Sequence, residues 1–267
     1  MIYITGDCHG NFERFKPYIF PEQLEMTKDD YVIICGDFGG VWELDTEGEQ
    51  WRKQFVGNNH NARVKRENMQ LDWLESRPFT TLFVDGNHEN YDRLNSYPIE
   101  EWHGGRVHKI RPSVIHLMRG EVFDLCGRTF FAFGGASSHD IRGGILEPAA
   151  IDYKKKLNEA RKDIAPFRIN HVSWWKEELA SDEEKINGFK NLEKHNYNVD
   201  FIVSHCCSTS TQNVLGGGRY KPDHETDYLD EVRAKTEFTK WFFGHYHANR
   251  NINDKEICIY EQIIRIA

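Results

Sequence analysis

The chain predicts an α/β fold, a sheet with helices across its faces followed by a second, mixed sheet packed on the first. Three observations carry this. Short apolar runs stop at polar, glycine-flanked turns, as buried strands do: Ile2 to Ile4 before Thr5-Gly6-Asp7-Cys8-His9-Gly10, Tyr31 to Cys35 before Gly36-Asp37-Phe38-Gly39-Gly40, and Thr81 to Val84 before Asp85-Gly86-Asn87-His88-Glu89. Helical stretches alternate with such runs, the pattern of strand, crossover, strand units. From Arg106 onward short strands joined by turns take over.

Taken in order, the predicted helices are Arg66 to Ser76, Pro148 to Lys162, Trp174 to Lys185 and Asp227 to Lys235. The second sheet is expected from Val114 to His116, Glu121 to Leu125, Arg128 to Phe133, Arg250 to Ile252, Ile257 to Tyr260 and Ile263 to Ile266. Two further apolar strands, Phe201 to Val203 and Trp241 to Phe243, end at Ser204-His205 and Gly244-His245-Tyr246-His247. Repeats of fixed period, low-complexity tracts and Pro/Gly/Ser linkers are absent from the sequence. The acidic stretches Glu43 to Glu49 and Glu177 to Glu184 read as solvated faces.

With 267 residues, 39% apolar, 28% charged and 13% aromatic, the composition is that of a globular chain and excludes disordered and collagen-like classes. Its formal net charge of −8 opposes tracking along a nucleic-acid backbone, so no duplex nucleic acid is expected as partner. A phosphate-bearing substrate would need local positive charge. No apolar run approaches about 20 residues, and the N-terminus lacks a basic stretch before an apolar one, so a cytoplasmic location without membrane contact is expected. The six cysteines form no CxxC pair and are expected as buried, reduced thiols.

Five strand ends carry metal-capable residues: Asp7, His9, Asp37, Asn87, His205, His245 and His247. Oxygen and imidazole donors without a thiolate suit Mn, Fe or Zn in a reactive centre rather than a structural zinc site. Any one of them alone fits a simple turn, and His116 in its apolar run fits a core histidine. Together they gain weight, because loops at the carboxyl ends of neighbouring strands in an open sheet converge on one crevice.

The ordered set GDCHG, GDFGG, GNHE, SH and GHYH, spanning residues 6 to 247, resembles the calcineurin-like metallophosphoesterase superfamily, whose pattern is D-x-H, G-D, G-N-H-[DE], H and G-H-x-H. The resemblance implies a four-layer αββα sandwich of two mixed sheets flanked by helices, forming a single domain with inserted segments around 41–66 and 136–190. It implies two divalent ions, one held by Asp7, His9 and His247, the other by Asn87, His205 and His245, with Asp37 bridging. His88 would be the non-ligand histidine that protonates the leaving oxygen, and a metal-bridging hydroxide the nucleophile. Such a centre is net positive and supplies the charge that the chain lacks. Gly6, Gly36, Gly86 and Gly244 each precede a ligand and are expected to leave room for an ion.

The protein serine/threonine phosphatase branch carries an Asp three residues and an Arg four residues after the bridging Asp, and an Arg before G-N-H-E. Here those positions are Gly40, Val41 and Asp85. A phosphodiester carries less charge and depends less on an Arg clamp, so phosphodiester hydrolysis of a small-molecule or nucleotide ester is favoured over phosphomonoester or protein phosphatase action. Arg142 and Arg219, in glycine-flanked loops, are candidates to grip the ester; Phe167, Trp174, Trp175 and Tyr220 are candidates to stack on a nucleobase or simply to pack. A non-catalytic scaffold would be expected to have lost at least one of the eight site residues, and all are kept. A DNA-processing nuclease would be expected to bring a basic groove or a further domain.

Overall fold

The computed structural model describes residues 1–47 and 50–267, so Glu49 of the first acidic stretch lies outside the described residues. In chain order the strands are β1 (Ile2–Thr5), β2 (Tyr31–Ile34), β3 (Thr80–Phe83), β4 (Ile99–Trp102), β5 (Gly105–Arg111), β6 (Val114–Leu117), β7 (Glu121–Leu125), β8 (Arg128–Phe133), β9 (Ile145–Leu146), β10 (Arg168–Ile169), β11 (Asn198–Ser204), β12 (Glu237–Phe243), β13 (Arg250–Asn251), β14 (Glu256–Cys258) and β15 (Ile264–Arg265). The helices are α1 (His60–Glu75), α2 (Tyr91–Leu94), α3 (Tyr153–Lys162), α4 (Asp182–Lys194), α5 (Thr209–Gly216) and α6 (His224–Lys235).

One sheet runs β15-β1-β2-β3-β6-β5-β4 and the other β13-β14-β12-β11-β8-β7. In both, the middle strands are parallel and the antiparallel pairs lie towards the edges, as at β1 with β15 and at β7 with β8. Strand alternation then builds the layers. Ile2, Ile4, Ile33 and Leu82 of the first sheet meet Phe130, Ala132, Phe201 and Phe242 of the second in one buried cluster between the sheets. Tyr3, Val32, Ile34 and Phe83 point the other way, onto Leu71 and Leu74 of α1. Phe131, Phe133, Ile202 and Trp241 likewise face Leu192 of α4 and Leu229 and Val232 of α6. The result is the expected αββα order, and each large apolar side chain buried contributes about 1.5–3 kcal/mol.

Several boundaries differ from the sequence reading. Val114–Leu117 and Ile264–Arg265 belong to the first sheet, where β6 extends β3 in parallel and β15 pairs with β1. The helix expected over Trp174 to Lys185 is instead a 3-10 turn at Lys176–Glu178 followed by α4. Ser181 and Glu184 exchange a reciprocal capping box that fixes the start of α4, and Trp175 is buried in the core. Helix α5 has no counterpart in the reading, although Ser208 caps its start and the left-handed Gly217 ends it. Helix α1 begins at His60 and α3 at Tyr153. The acidic stretches are also not purely solvated: Glu178 is buried, and Glu43 pairs with Arg63 at 2.8 Å. All six cysteines are free, five of them buried and Cys126 exposed. No described helix is long and apolar enough to cross a membrane.

Candidate metal centre

The seven predicted ligands gather where the two sheets meet. Asp7, His9, Asp37 and Asn87 follow β1, β2 and β3 of one sheet, whereas His205, His245 and His247 follow β11 and β12 of the other. The crevice therefore forms between two sheets and not at the end of one, as the sequence argument had it. Main-chain bonds lock the loops together: the amides of Cys8 and His9 donate to the Asp37 carbonyl, Gly10 donates to Phe38, and Gly244 donates to His205. The Glu89 carboxylate accepts from the amides of Phe38 and Gly39, tying the third loop to the second.

Four of the seven hold left-handed backbone: His9, Asp37, His245 and His247 have φ of 48°, 43°, 66° and 47°. Non-glycine residues rarely adopt this, at a cost of order 1–3 kcal/mol each, and such strain collects at functional sites. The neighbouring glycines serve a different need from the one expected. A Cβ at Gly86 would strike the Asp37 carboxylate and one at Gly244 the Asp7 carboxylate, so glycine there makes room for ligand side chains.

Ring nitrogens and carboxylate oxygens converge. His9 Nε2 lies 3.0 Å from His247 Nε2, and Asp7 Oδ2 lies 3.1 Å from His247 Nε2. His205 donates Nδ1–H to the Cys35 carbonyl at 2.9 Å, which turns Nε2 towards Asn87 Oδ1 at 3.3 Å and Asp37 Oδ1 at 3.4 Å. Asp37 Oδ2 faces His9 Nε2 at 3.7 Å, so the two oxygens of one carboxylate face two different histidines. The His245 ring centre is 4.9 Å from that of His205. Donor atoms of Asp7, His9 and His247 lie mutually within 4.8 Å, as do those of Asp7, Asp37 and His205.

The electrostatics fit a bound cation. Burial pushes the His205 imidazole down, but Asp37 and Asp7 outweigh it and raise it to about 10, so the residues by themselves recruit positive charge. Burial also raises Asp37, yet His205, His88 and His9 overturn this and hold its carboxyl well below the usual range. No Lys or Arg pairs with Asp7 or Asp37 among the described residues. Two buried carboxylates facing imidazole and amide donors, with no Lys or Arg among the described residues, match the chemistry of a divalent metal site.

Groups that sequence reasoning missed hold this shell. Arg14 donates to the Asp7, Gly6 and Tyr260 carbonyls. Tyr260 stacks on His247 with ring centres 4.5 Å apart. Ser138 Oγ lies 3.5 Å from Asn87 Nδ2 and donates to Glu178 at 2.6 Å. Tyr260 ended a predicted strand and Glu178 fell within a predicted helix and an acidic stretch, and neither placement points to the site. Asp85, in place of the phosphatase Arg, is buried and bonded to Arg119, His116 and Tyr91. His116 is thus the satisfied core histidine expected of it.

His88 stands beside the ligands without joining them. Its amide donates to Asp37 Oδ1 at 2.8 Å, and its ring lies 5.2 Å from that of His9 and lines a cavity of about 260 Å³ with Trp42, Arg63, Arg66 and Glu67. A second cavity, of about 510 Å³, is lined on the other side by His245, His139, Gln212, Arg219, Tyr220 and Lys221. Of the ester-gripping candidates, Arg219 lines this second cavity, while Arg142 is exposed and lines neither. Of the stacking candidates, Tyr220 lines the second cavity. Trp175 is spent in the core with Nε1 donating to Asp92, and Phe167 and Trp174 line neither cavity. Cys8 is buried, its thiol pushed up to about 12 by burial, which leaves no thiolate nucleophile.

Comparison with known proteins agrees with the geometry. The lariat debranching enzyme A of Xenopus laevis is 28% identical over 175 residues, covering 64% of this chain and 30% of that protein. The lariat debranching enzyme of Schizosaccharomyces pombe is 23% identical over 259 residues, covering 91% of this chain and 47% of that protein, and that of Arabidopsis thaliana is 30% identical over 110 residues, covering 39% and 23%. The chain thus spans less than half the length of these relatives. The model of the calcineurin-like phosphoesterase family matches residues 1–249, nearly the whole chain, and this protein belongs to that family.

Proposed function

We propose that this protein is a metal-dependent phosphodiesterase. The observation that carries the reading is the convergence of two buried carboxylates, four imidazoles and one amide oxygen, with a non-ligand histidine alongside and a cavity on each side. Asp7, His9 and His247 would hold one divalent ion and Asn87, His205 and His245 the other, and Asp37, whose two oxygens face His9 and His205, would bridge them. Bound there, the ions supply positive charge for the phosphoryl oxygens and an activated water. His88 holds a proton at its ring for the leaving oxygen, worth roughly 10² to 10⁴ in rate. Trp42 stands beside His88 in the cavity wall, with ring centres 6.4 Å apart.

The flanking cavities favour a diester, because a phosphorus carrying two substituents needs room for both and a monoester needs only one. Asp85 adds support: it stands where the phosphatase branch carries its Arg, and Arg119 is taken up by this carboxylate, so neither position offers a guanidinium to a phosphomonoester. The relatives' name makes a lariat-type branched linkage a substrate to test. We further take residues 41–66 and 136–190 as insertions in one domain, the second of which contributes Ser138 and Glu178 to the support of Asn87.

The test is a panel of monoesters, linear and cyclic diesters and nucleotide pyrophosphates, run on chelator-stripped protein refilled with Mn, Fe or Zn. Stripped protein should be inactive, and a transition metal should restore turnover with diesters ahead of monoesters. Full activity after stripping would overturn the metal role, and a monoester preference the diester reading.

A further inference from the structure

The two cavities that flank the centre differ in charge. In the one beside His88, Arg63 is paired with Glu43 at 2.8 Å, the buried Glu67 is engaged by Arg93, and Arg66 has no ion-pair partner among the described residues, so the wall sets two arginines against two carboxylates. In the one beside His245, the only carboxylate on the wall among the described residues is Asp223. Its Oδ1 accepts from the amides of Glu225 and Thr226 at 2.9 Å, and its Oδ2 is taken by the Ser137 hydroxyl. Arg219 uses only Nε, on the Gly216 carbonyl at 2.9 Å. Neither the remaining guanidinium nitrogens of Arg219 nor the Lys221 ammonium has an ion-pair partner among the described residues.

These two cations are delivered by a built turn. Gly217 and Gly218, at φ of 59° and 77°, reverse the chain after α5 and bring Arg219, Tyr220 and Lys221 onto the wall. A Cβ at Gly216 would strike the Tyr220 ring, so the ring lies flush on that backbone. Its centre stands 5.1 Å from Tyr246 and 6.4 Å from His139, the latter itself 4.6 Å from the candidate ligand His245. Gln212 on the same wall donates Nε2 to Tyr246, while its Oε1 is buried without a hydrogen-bond partner, an acceptor that an exocyclic amine would satisfy. An aromatic face, a spare acceptor and two uncommitted cations in about 510 Å³ match a nucleotide.

We propose that the cavity beside His245 is a subsite for one nucleotide arm of the diester, its base against Tyr220 and a further, non-scissile phosphate on Arg219 and Lys221. The other arm, in the balanced cavity beside His88, carries no such requirement. The subsite rests on the phosphodiesterase reading, and it adds polarity to that reading by distinguishing the two ends of the substrate.

The test is calorimetric titration of the metal-loaded protein with a dinucleotide joined by a non-hydrolysable methylphosphonate, in three forms: no terminal phosphate, a 5′-phosphate and a 3′-phosphate. One of the terminal phosphates should tighten binding roughly 10- to 100-fold. R219A/K221A should erase that gain, R219Q/K221Q should do the same with less change in side-chain volume, and Y220A should weaken all three forms by about fivefold or more. Thermal melting and metal content establish that each variant is folded and loaded. Equal affinities for the three forms, or a gain that survives both double variants, would overturn the subsite. Turnover of bis(p-nitrophenyl) phosphate by the same preparation tests the phosphodiesterase reading separately: its absence would defeat that reading, while the calorimetric gain still decides the subsite.

Discussion

Asp37 and Asp85 are buried carboxylates on the loops that follow two neighbouring strands, each facing a histidine, and they belong to clusters built on opposite rules. Asp85 accepts from Arg119 Nε at 2.8 Å, from Tyr91 at 2.7 Å and from His116 at 3.0 Å. Burial raises its pKa, but the guanidinium overturns this and holds the carboxyl well below the ordinary range. The Tyr91 hydroxyl also reaches the Gly86 carbonyl at 2.7 Å, so the cluster braces the loop that carries Asn87 and His88. Asp37 has imidazoles, the His88 amide and the Asp7 carboxylate around it and no Lys or Arg among the described residues, on backbone held left-handed. One cluster is complete without a ligand, and the other gathers donors that a cation would complete. Stability is invested in the first and function in the second.

The contrast can be broken by exchanging the roles. Asp37→Asn should carry the largest functional effect, with metal content falling from two ions to fewer than one per chain and turnover to background, as measured by elemental analysis and diester assay. In the metal-free protein its cost should stay below that of the Arg119 change, because His205 can release its proton once the carboxylate is gone. Loss of a single equivalent with turnover retained would contradict the bridging role. Arg119→Ala should do the reverse. It leaves Asp85 in the interior without its guanidinium, held by Tyr91 and His116 alone, a defect of about 3–5 kcal/mol in urea unfolding, while folded protein still binds two ions. A loss under about 1 kcal/mol would mean that the cluster is not the brace described above.

The same contrast explains what was legible in the sequence. Asp37, Asn87 and the histidines stand out because a donor at a strand end recurs five times, four of them directly behind a glycine, and Gly86 and Gly244 are required by close approach of the Asp37 and Asp7 carboxylates. Two packed sheets with helices across a face were legible in apolar runs such as Ile2 to Ile4, whereas the four-layer αββα order came with the resemblance to the phosphoesterase superfamily. Arg14, Ser138, Glu178 and Arg119 were not legible, because each acts through a partner far along the chain: Ser138 lies 51 residues from Asn87, and Arg119 lies 34 from Asp85. The left-handed turns at His9, Asp37, His245 and His247 left no signal either, since a residue other than glycine does not announce a positive φ. Whether Val114–Leu117 would join the first or the second sheet was equally beyond local pattern, because both sheets accept a short apolar strand.

His88 sharpens the comparison from within the centre, as a side chain that lines the active cavity while completing neither cluster. His88→Ala should lower turnover by roughly 10² to 10⁴ with both ions retained. The loss should be far greater for alkyl esters, whose leaving oxygen needs a proton, than for nitrophenyl esters, whose leaving group departs as a stable anion. Equal losses would assign His88 to charge stabilisation on the phosphoryl oxygens, and a lost ion would move it into the metal shell.

The smallest expected effect lies at the seam between residues 136–190, the second of the proposed insertions, and the candidate centre. An amide ligand can bind through oxygen only if its nitrogen is turned away, and at Asn87 that nitrogen points to Ser138 Oγ at 3.5 Å while Oδ1 faces His205. Ser138 is held in turn by Glu178, which accepts from its amide at 2.9 Å and its hydroxyl at 2.6 Å. Ser138→Ala removes the orienting acceptor without touching a ligand, so it should weaken binding of the second ion by roughly 10- to 100-fold, the usual range for a partner that orients a metal ligand, and leave the first ion unchanged. Competitive chelator titration reads the two affinities separately. Ser138→Thr, which keeps the hydroxyl, should restore most of the loss. If Ser138→Ala weakens both ions equally, or if threonine fails to restore the affinity of a folded protein, then Asn87 is oriented by His205 and the Gly86 turn alone, and the second inserted segment has no part in building the centre.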